Sequence, residues 1–481
     1  MRRAKIVVTL GPASREPAVL EALLAAGTNV VRINMSHGTQ EDHAENVRRA
    51  RAAAERMKLP LAVLVDLSGP KLRTGVLKDG QPVALEANAL FTLTARSVPG
   101  DAQEVSTNYP GMARDVRAGS RLLLDDGAIE LYVERTTDMD VVCRVINGGV
   151  LAERKGINLP GVALPIPSLT EKDRRDLQWA VDQAADYIAL SFVRRAEDCR
   201  EAQALIKAAG GRSPLIAKIE KAEAMDHLEE ITRVADGVMV ARGDLGVETS
   251  VELVPVYQKR IIQQANIEGK LVITATQMLQ SMVSNPRPTR AEASDVANAV
   301  WDGTDALMLS NETATGQYPV PAVATMARII ETAEMGRAHV SHARSIWLGK
   351  QSGSFSRALC EAAAFAAEEM DAQTIAVFTE SGLMARRLST LRPRQRIVAL
   401  TSSRHVQNEL AAVWGVETLL HPPCTSTDDQ MSMGERTLIE AGVAHQDELI
   451  VMMAGRLSGL GLSSSLKLHR VGESSDNQTK R

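Results

Sequence analysis

The chain has 481 residues, 44% of them hydrophobic and 24% charged, and a net charge of −4. That length exceeds one ordinary core, so two or three domains are expected, and the near-balanced charge argues against a general nucleic-acid or membrane surface. The four cysteines, Cys143, Cys199, Cys360 and Cys424, lack metal-ligand spacing and fit free thiols in a reducing compartment. The opening Met1-Arg-Arg-Ala-Lys-Ile has no signal-peptide apolar region, and no apolar run is long enough for a bilayer, so the expected location is cytoplasmic.

Short apolar runs alternate with helical patterns from the start. Strands are predicted at Lys5–Leu10, Val30–Met35 and Leu61–Leu67, with helices at Pro17–Ala26 and Gln40–Met57. Beyond Gly69-Pro70, from about Leu72 to Leu159, short strands and glycine turns predict a small all-β insertion. Within it, Asp126-Gly127 is a hairpin turn between Leu122-Leu-Leu and Ile129-Glu-Leu-Tyr. The alternation resumes at Ser168, where Thr170-Glu-Lys-Asp starts a helix. Strands follow at Tyr187–Phe192, Leu215–Glu220, Gly237–Ala241, Leu271–Ala275 and Ala306–Leu309, then a helix at Val320–Glu334. Eight strand–helix units predict a (β/α)8 TIM barrel; a doubly wound open sheet is the alternative, but near-continuous apolar strands favour closure. Ala338–Gly353 reads as a connector, a C-terminal α/β domain has strands at Thr374–Phe378, Ile397–Leu400 and Glu448–Met453, and a polar tail is expected to be disordered. The expected division is 1–69 and 161–340 for the barrel, 70–160 for the β insertion, 341–472 for the C-terminal domain and 473–481 for the tail.

The strand Leu215-Ile-Ala-Lys218-Ile-Glu220 places a cation and an anion on one face, because residues i and i+2 of a strand point the same way. Unpaired buried charge is costly, so these residues form either a site around a metal and an anionic substrate or an intra-strand ion pair. Barrel active sites sit at the C-terminal strand ends. Asp244, in Ala241-Arg-Gly243-Asp244-Leu-Gly, closes the next strand, and two carboxylates on neighbouring strands can share a hard divalent ion. Gly243 permits close backbone approach; a plain turn is the competing reading. Arg32 shares a strand face with Asn34 and offers a fork for carboxylate or phosphate, or else pairs with an acid such as Asp66. His37 reads as a local hydrogen-bonding residue, and Thr276 as either a ligand hydroxyl or a β-former. One Lys, one Arg and two carboxylates suit phosphoryl transfer. No P-loop motif is present, and a Schiff base on Lys218 remains a rival.

Six segments in order then make the family legible: Lys5-Ile-Val-Val-Thr-Leu-Gly-Pro, Asn29-Val-Val-Arg-Ile-Asn-Met-Ser-His-Gly, Ile216-Ala-Lys-Ile-Glu-Lys, Met239-Val-Ala-Arg-Gly-Asp-Leu-Gly, Ala275-Thr-Gln-Met-Leu-Gln and Pro286-Arg-Pro-Thr-Arg-Ala-Glu. The chain resembles pyruvate kinase over nearly its whole length. The resemblance implies transfer of the phosphoryl group of phosphoenolpyruvate to ADP, giving pyruvate and ATP, the last step of glycolysis. It implies Glu220 and Asp244 as ligands of Mg2+ or Mn2+, and Lys218 as the cation facing the moving phosphoryl group. Arg32 would hold the phosphate, and Gly243, Asp244 and Thr276 would surround the substrate carboxylate. Thr276, or a water near it, would be placed to protonate enolpyruvate. Arg73 and Lys155, at the two junctions of a mobile lid, would reach the nucleotide phosphates. The family is usually a homotetramer.

Two departures stand out. Many relatives bind K+ through groups matching Asn34, Ser36, Asp66 and the residue after it, here Leu67, and carry Glu after the hinge Gly-Pro. This chain has Lys71 there, which places an ammonium where K+ would sit, so the expectation is that K+ is not required. Asn311 stands where relatives carry Gly or Ala. The loop Thr379-Glu-Ser381-Gly382 matches the family's effector-phosphate loop, which takes a phosphorylated sugar or nucleotide, although Leu383 and Met384 replace helpful polar residues. A metal-dependent lyase or aldolase acting on pyruvate or phosphoenolpyruvate leaves Arg73 and Lys155 without a role. A catalytically dead sensor would predict damage at Lys218, Glu220 or Asp244, and all three are intact.

Overall fold

The computed structural model describes residues 2–162, 164–336, 355–424, 426–454 and 465–473. Eight parallel strands close into a barrel. In order around it they are Lys5–Thr9, Val30–Asn34, Ala62–Asp66, Tyr187–Leu190, Leu215–Ile219, Gly237–Ala241, Leu271–Ala275 and Ala306–Leu309, the last pairing back onto the first. Closure rather than an open sheet follows from strands that are apolar on both faces; all five residues of Leu215–Ile219 and of Gly237–Ala241 are buried. Local chemistry starts the surrounding helices. Thr39 and Asp42 form a reciprocal cap on Gln40–Arg56, and Thr289 and Glu292 do the same for Arg290–Asp302. The Pro-Arg-Pro-Thr-Arg-Ala-Glu segment is therefore a helix start.

The chain divides into two compact units, Met1–Val65 with Ala180–Ile188 and Ile262–Arg481, and Asp66–Trp179 with Ala189–Ile261. The second unit holds the inserted β structure. Its six-stranded sheet runs Ile157–Asn158, Arg121–Leu124, Ile129–Thr136, Asp140–Asn147, Leu90–Thr94 and Glu104–Ser106 around a core of its own that includes Phe91, Leu122 and Leu131. The expected hairpin forms at Asp126-Gly127, where Asp125, Asp126 and Gly127 all have positive φ. The insertion is not wholly β: a short helix, Met112–Asp115, interrupts it.

The first unit holds the C-terminal domain, a sheet ordered Val416–Leu420, Arg396–Thr401, Thr374–Phe378, Leu449–Ala454 and Ser465–Arg470. The sequence pattern identified the three central strands and missed the two edges. Edge strands are half-exposed, and Val416–Leu420 and Ser465–Arg470 carry polar residues that blur the pattern. The expected connector 338–353 lies outside the described residues, as does the expected tail beyond Glu473. Among the described residues no helix is long and apolar enough to cross a membrane.

Two charged contacts tie this domain to the barrel residues of the same unit. Arg392 pairs with Asp305 at 2.7 Å, and its guanidinium lies 4.5 Å from the Trp414 ring centroid. Asp186, just before Tyr187–Leu190, lies 3.6 Å from His405 Nδ1, while His405 Nε2 lies 2.9 Å from Glu409. Arg386 also pairs with Glu409, Arg51 stands 4.0 Å from Asp186, and the Tyr187 hydroxyl donates to the Glu409 carbonyl at 2.7 Å. Hydrogen bonds to Asp186 and Glu409 raise the His405 pKa to about 10. Burial raises that of Asp186 despite the His405 contact. A histidine whose folded pKa is raised contributes stability fully below its unfolded value of about 6.5 and loses it as pH climbs through about 10. Lys5, depressed by burial to about 8, works in the opposite direction over the alkaline range, so the comparison must be between variants. The Tm advantage of wild type over His405→Gln is expected to be largest near pH 6 and to vanish by about pH 10. An advantage independent of pH contradicts a charged His405.

Candidate active site

Lys218 is the fourth residue of Leu215–Ile219, and its side chain is about nine-tenths buried. Its ammonium is 2.7 Å from Glu220 Oε1 and 3.2 Å from Asp66 Oδ1, and it donates to Ser191 Oγ at 2.6 Å. Three successive parts of the second unit supply these partners. Asp66 ends Ala62–Asp66, Ser191 follows Tyr187–Leu190, and Glu220 follows Lys218's own strand. All lie at C-terminal strand ends, where a barrel carries its chemistry. The ion-pair reading of Lys218 and Glu220 is thus correct as geometry, and Asp66, which the sequence offered only as a partner for Arg32 or K+, is a second anion for the same ammonium.

Glu220 is fully buried. Its Oε2 accepts the Phe192 N–H at 2.8 Å, while Oε1 faces the ammonium without an aligned hydrogen bond. Burial raises the Glu220 pKa; Lys218 opposes this, and the charge of Asp244 adds to it. Asp244 is half-buried in the first turn of the helix Arg242–Glu248, with Gly243 beside it, so the plain-turn reading of Gly-Asp-Leu-Gly is overturned. Glu220 and Asp244 carry like charges close enough for Asp244 to raise the Glu220 pKa, a repulsion that a divalent cation would relieve. Among the described residues no group of three or more acidic, His or Cys side chains could hold a metal ion. Such a cation would complete its shell with water and substrate oxygens, as Mg2+ commonly does.

The two connectors of the β insertion run side by side in the same unit. Thr74 N–H donates to the Lys155 carbonyl at 2.8 Å and Ile157 N–H to that of Leu72 at 2.9 Å. This brings Arg73 and Lys155 to one strip. Arg73 donates to the Arg154 carbonyl at 3.1 Å, and Lys155 pairs with Asp125 at 2.8 Å. Lys71 is half-buried between Gly69, whose carbonyl accepts its N–H at 2.9 Å, and Asn108, which donates to its carbonyl at 3.0 Å. The Leu67 carbonyl accepts from Ser191 Oγ at 2.7 Å.

In the first unit, Arg32 is buried and donates to Thr9 Oγ1 at 3.0 Å. Asn34 Oδ1 accepts the Ser36 N–H at 3.1 Å, and the His37 backbone carbonyl lies 2.7 Å from His43 Nε2. Thr276 has φ +67, an uncommon conformation for a β-branched residue and one that clusters at functional sites. The loop Thr379–Gly382 joins strand Thr374–Phe378 to helix Leu383–Thr390 as expected, with Gly382 at φ +76. Its own hydroxyls already engage backbone donors: Thr379 Oγ1 accepts from Gly382 at 2.9 Å and Ser381 Oγ from Leu383 at 3.5 Å. Nothing in the structure explains Asn311.

Sequence reasoning missed Ser191, Phe192 and Glu248. Ser191 and Phe192 follow an apolar strand with no motif of their own. Glu248 is buried, 2.8 Å from Lys221 and accepting from Asn158 at 2.8 Å, yet it reads in sequence as an ordinary helical acid.

A family profile for the pyruvate kinase barrel domain matches residues 1–323, and one for the pyruvate kinase alpha/beta domain matches residues 357–469. The chain belongs to the pyruvate kinase family. Pyruvate kinase 2 of Synechocystis is 45% identical over 468 residues, 97% of this chain and 78% of the relative. The pyruvate kinase of Mycobacterium tuberculosis is 43% identical over 473 residues, 98% and 99% of the two chains. The crystal structure of a pyruvate kinase from Cryptosporidium parvum superposes with a TM-score of 0.91 at 34% identity, covering 98% of this chain and 96% of the other. The chain is accordingly a phosphotransferase with this family's barrel and separate C-terminal α/β domain.

Because Lys218 neutralises two buried carboxylates, its removal is costly. Lys218→Met is expected to lower unfolding stability by about 3 kcal/mol at neutral pH. The loss should shrink as pH falls, because Glu220, already raised by burial, takes a proton. Adding Glu220→Gln should restore part of it. Denaturant unfolding of the single and double variants checks this; a neutral effect of Lys218→Met contradicts it.

Proposed function

We infer that this chain transfers the phosphoryl group of phosphoenolpyruvate to ADP. The bond between phosphorus and the enol oxygen breaks, a bond from phosphorus to a terminal ADP oxygen forms, and enolpyruvate then takes a proton at carbon to give pyruvate. The observation that carries this reading is the Lys218 ammonium held between Asp66 and Glu220 beside Asp244, in a chain similar to pyruvate kinases end to end.

Lys218 faces the transferring phosphoryl group and neutralises charge as the enol oxygen leaves. Asp66 and Ser191 keep the ammonium anchored when Glu220 is engaged elsewhere. Glu220 and Asp244 would hold Mg2+ or Mn2+, which when bound would supply positive charge to the anionic substrate. Arg32 grips the substrate phosphate by motif match, and Gly243, Asp244 and Thr276 flank its carboxylate. Thr276, or a water it holds, supplies the proton to enolpyruvate. Arg73 and Lys155 bind the ADP phosphates, and the insertion, read as a lid over residues 70–160, excludes water on closing. The barrel is read as 1–69 and 161–340 and the effector domain as 341–472. The Thr379–Gly382 loop takes a phosphorylated sugar or nucleotide, which must first displace the Thr379 and Ser381 hydroxyls from the backbone donors. A cytoplasmic homotetramer is the expected assembly.

The Lys71 ammonium stands in for the K+ that many relatives hold through groups matching Asn34, Ser36, Asp66 and Leu67. Pyruvate formation by wild type is expected to be equal in K+ and in tetramethylammonium, with Lys71→Glu creating a K+ requirement; strong K+ activation of wild type overturns this. Pyruvate release from phosphoenolpyruvate, ADP and Mg2+ tests the main reading. Lys218→Met should lower kcat by about a thousandfold or more, the scale of losing a charge aimed at the transition state. Equal rates in the two proteins refute the role given to Lys218.

A further inference from the structure

Phe192 adopts φ +56, a left-handed conformation unusual for a bulky aromatic residue. It is not one of the groups expected to touch substrate, yet four separate contacts meet on it. Its N–H donates to Glu220 Oε2 at 2.8 Å. Its carbonyl accepts from Ser168 Oγ at 3.0 Å, on the segment returning from the insertion. Its ring packs on Gly69, on the segment leading into the insertion, where an added Cβ would lie 2.5 Å from Phe192 Cδ2. The Lys221 ammonium lies 5.6 Å from the ring centroid. Lys221 is in turn fixed by Glu248 at 2.8 Å, and the same Glu248 oxygen accepts from Asn158 of the returning segment at 2.8 Å.

We propose that Phe192 is a positioning residue through which the two lid connectors set the orientation of the Glu220 carboxylate. A strained backbone persists only while its surroundings over-determine it. Here those surroundings are Gly69 on one connector, Ser168 on the other, and Lys221 tied to Asn158 through Glu248. If either connector moves, the Phe192 peptide turns, and the hydrogen bond that fixes Glu220 Oε2 turns with it. Groups that orient a metal-binding carboxylate in this way tune its affinity. Neighbouring Ser191 extends the coupling, since it donates to the Leu67 carbonyl at 2.7 Å and accepts from Lys218. Lid position is thereby reported to the metal carboxylate and the catalytic ammonium through two consecutive residues.

The inference rests on Glu220 holding the divalent cation, and the test separates the two claims. Mn2+ binding to the substrate-free protein is read by electron paramagnetic resonance for wild type, Phe192→Ala, Phe192→Tyr, Ser168→Ala and Glu220→Gln. Phe192→Ala should weaken Mn2+ binding by about tenfold, the lower end of the effect for groups that orient a metal ligand. Phe192→Tyr should restore it to near wild type. Ser168→Ala, which leaves the ring in place, should weaken binding by about threefold, the loss of one modest hydrogen bond; it decides the matter alone if Phe192→Ala does not fold. Wild-type Mn2+ affinity in Phe192→Ala and Ser168→Ala, with binding lost in Glu220→Gln, overturns the coupling. Wild-type affinity in Glu220→Gln overturns the metal assignment and this inference with it.

Discussion

A single ammonium inside the barrel constrains much of the second unit. Lys218 is buried with two carboxylates within 3.2 Å, and none of the three could be left alone at that depth without a large desolvation cost. The arrangement fixes which strand ends must adjoin. Asp66, Ser191 and Glu220 come from three parts of the chain, and each reaches the ammonium only if the strands are parallel and in register. A buried cluster of this kind is a poor device for stability and a good one for holding charge in a fixed place. It makes sense where charge must be met as it develops, which is the demand of phosphoryl transfer.

The same logic extends to the inserted β structure. Its two connectors run antiparallel, and Gly69 on one and Ser168 on the other both contact Phe192, whose backbone is left-handed. A lid on slack linkers would exclude water on closing and carry no information inward. These linkers are bonded to residues that themselves touch Glu220 and Lys218. If the insertion acts as the proposed lid, a shift of its linkers reaches Glu220 and Lys218 through Phe192 and Ser191.

Much of this was legible in the sequence. The eight apolar strands and the break at Gly69-Pro70 pointed to the barrel and its insertion, because doubly covered parallel strands must be continuously apolar. Lys218 and Glu220 were visible because charge inside such a run is conspicuous. The edge strands Val416–Leu420 and Ser465–Arg470 were not legible, since a half-exposed strand has no reason to be apolar throughout. Asp66 as an anion for Lys218, Ser191 as its acceptor and Phe192 as the donor to Glu220 were also hidden. Each depends on which strand ends lie side by side, and in Phe192 the active group is a backbone amide that any residue type carries. The Pro286–Glu292 segment, legible in the sequence as a family motif, is in the structure a helix cap.

The charge of Lys218 acting on the phosphoryl group is the central claim, and restoring that charge chemically tests it most directly. In Lys218→Cys, alkylation with bromoethylamine rebuilds an ammonium of nearly lysine length, whereas iodoacetamide adds a neutral group. Because position 218 is about nine-tenths buried, and Cys143, Cys199 and Cys360 are buried too, alkylation is done in partly denaturing conditions. Its extent at position 218 is read by mass spectrometry, and wild type treated alike controls for the native cysteines. Pyruvate formation from phosphoenolpyruvate and ADP should be lost in Lys218→Cys, return with the aminoethyl adduct, and stay lost with the amide. Wild-type turnover in the unmodified variant, or equal recovery with the neutral adduct, contradicts the account.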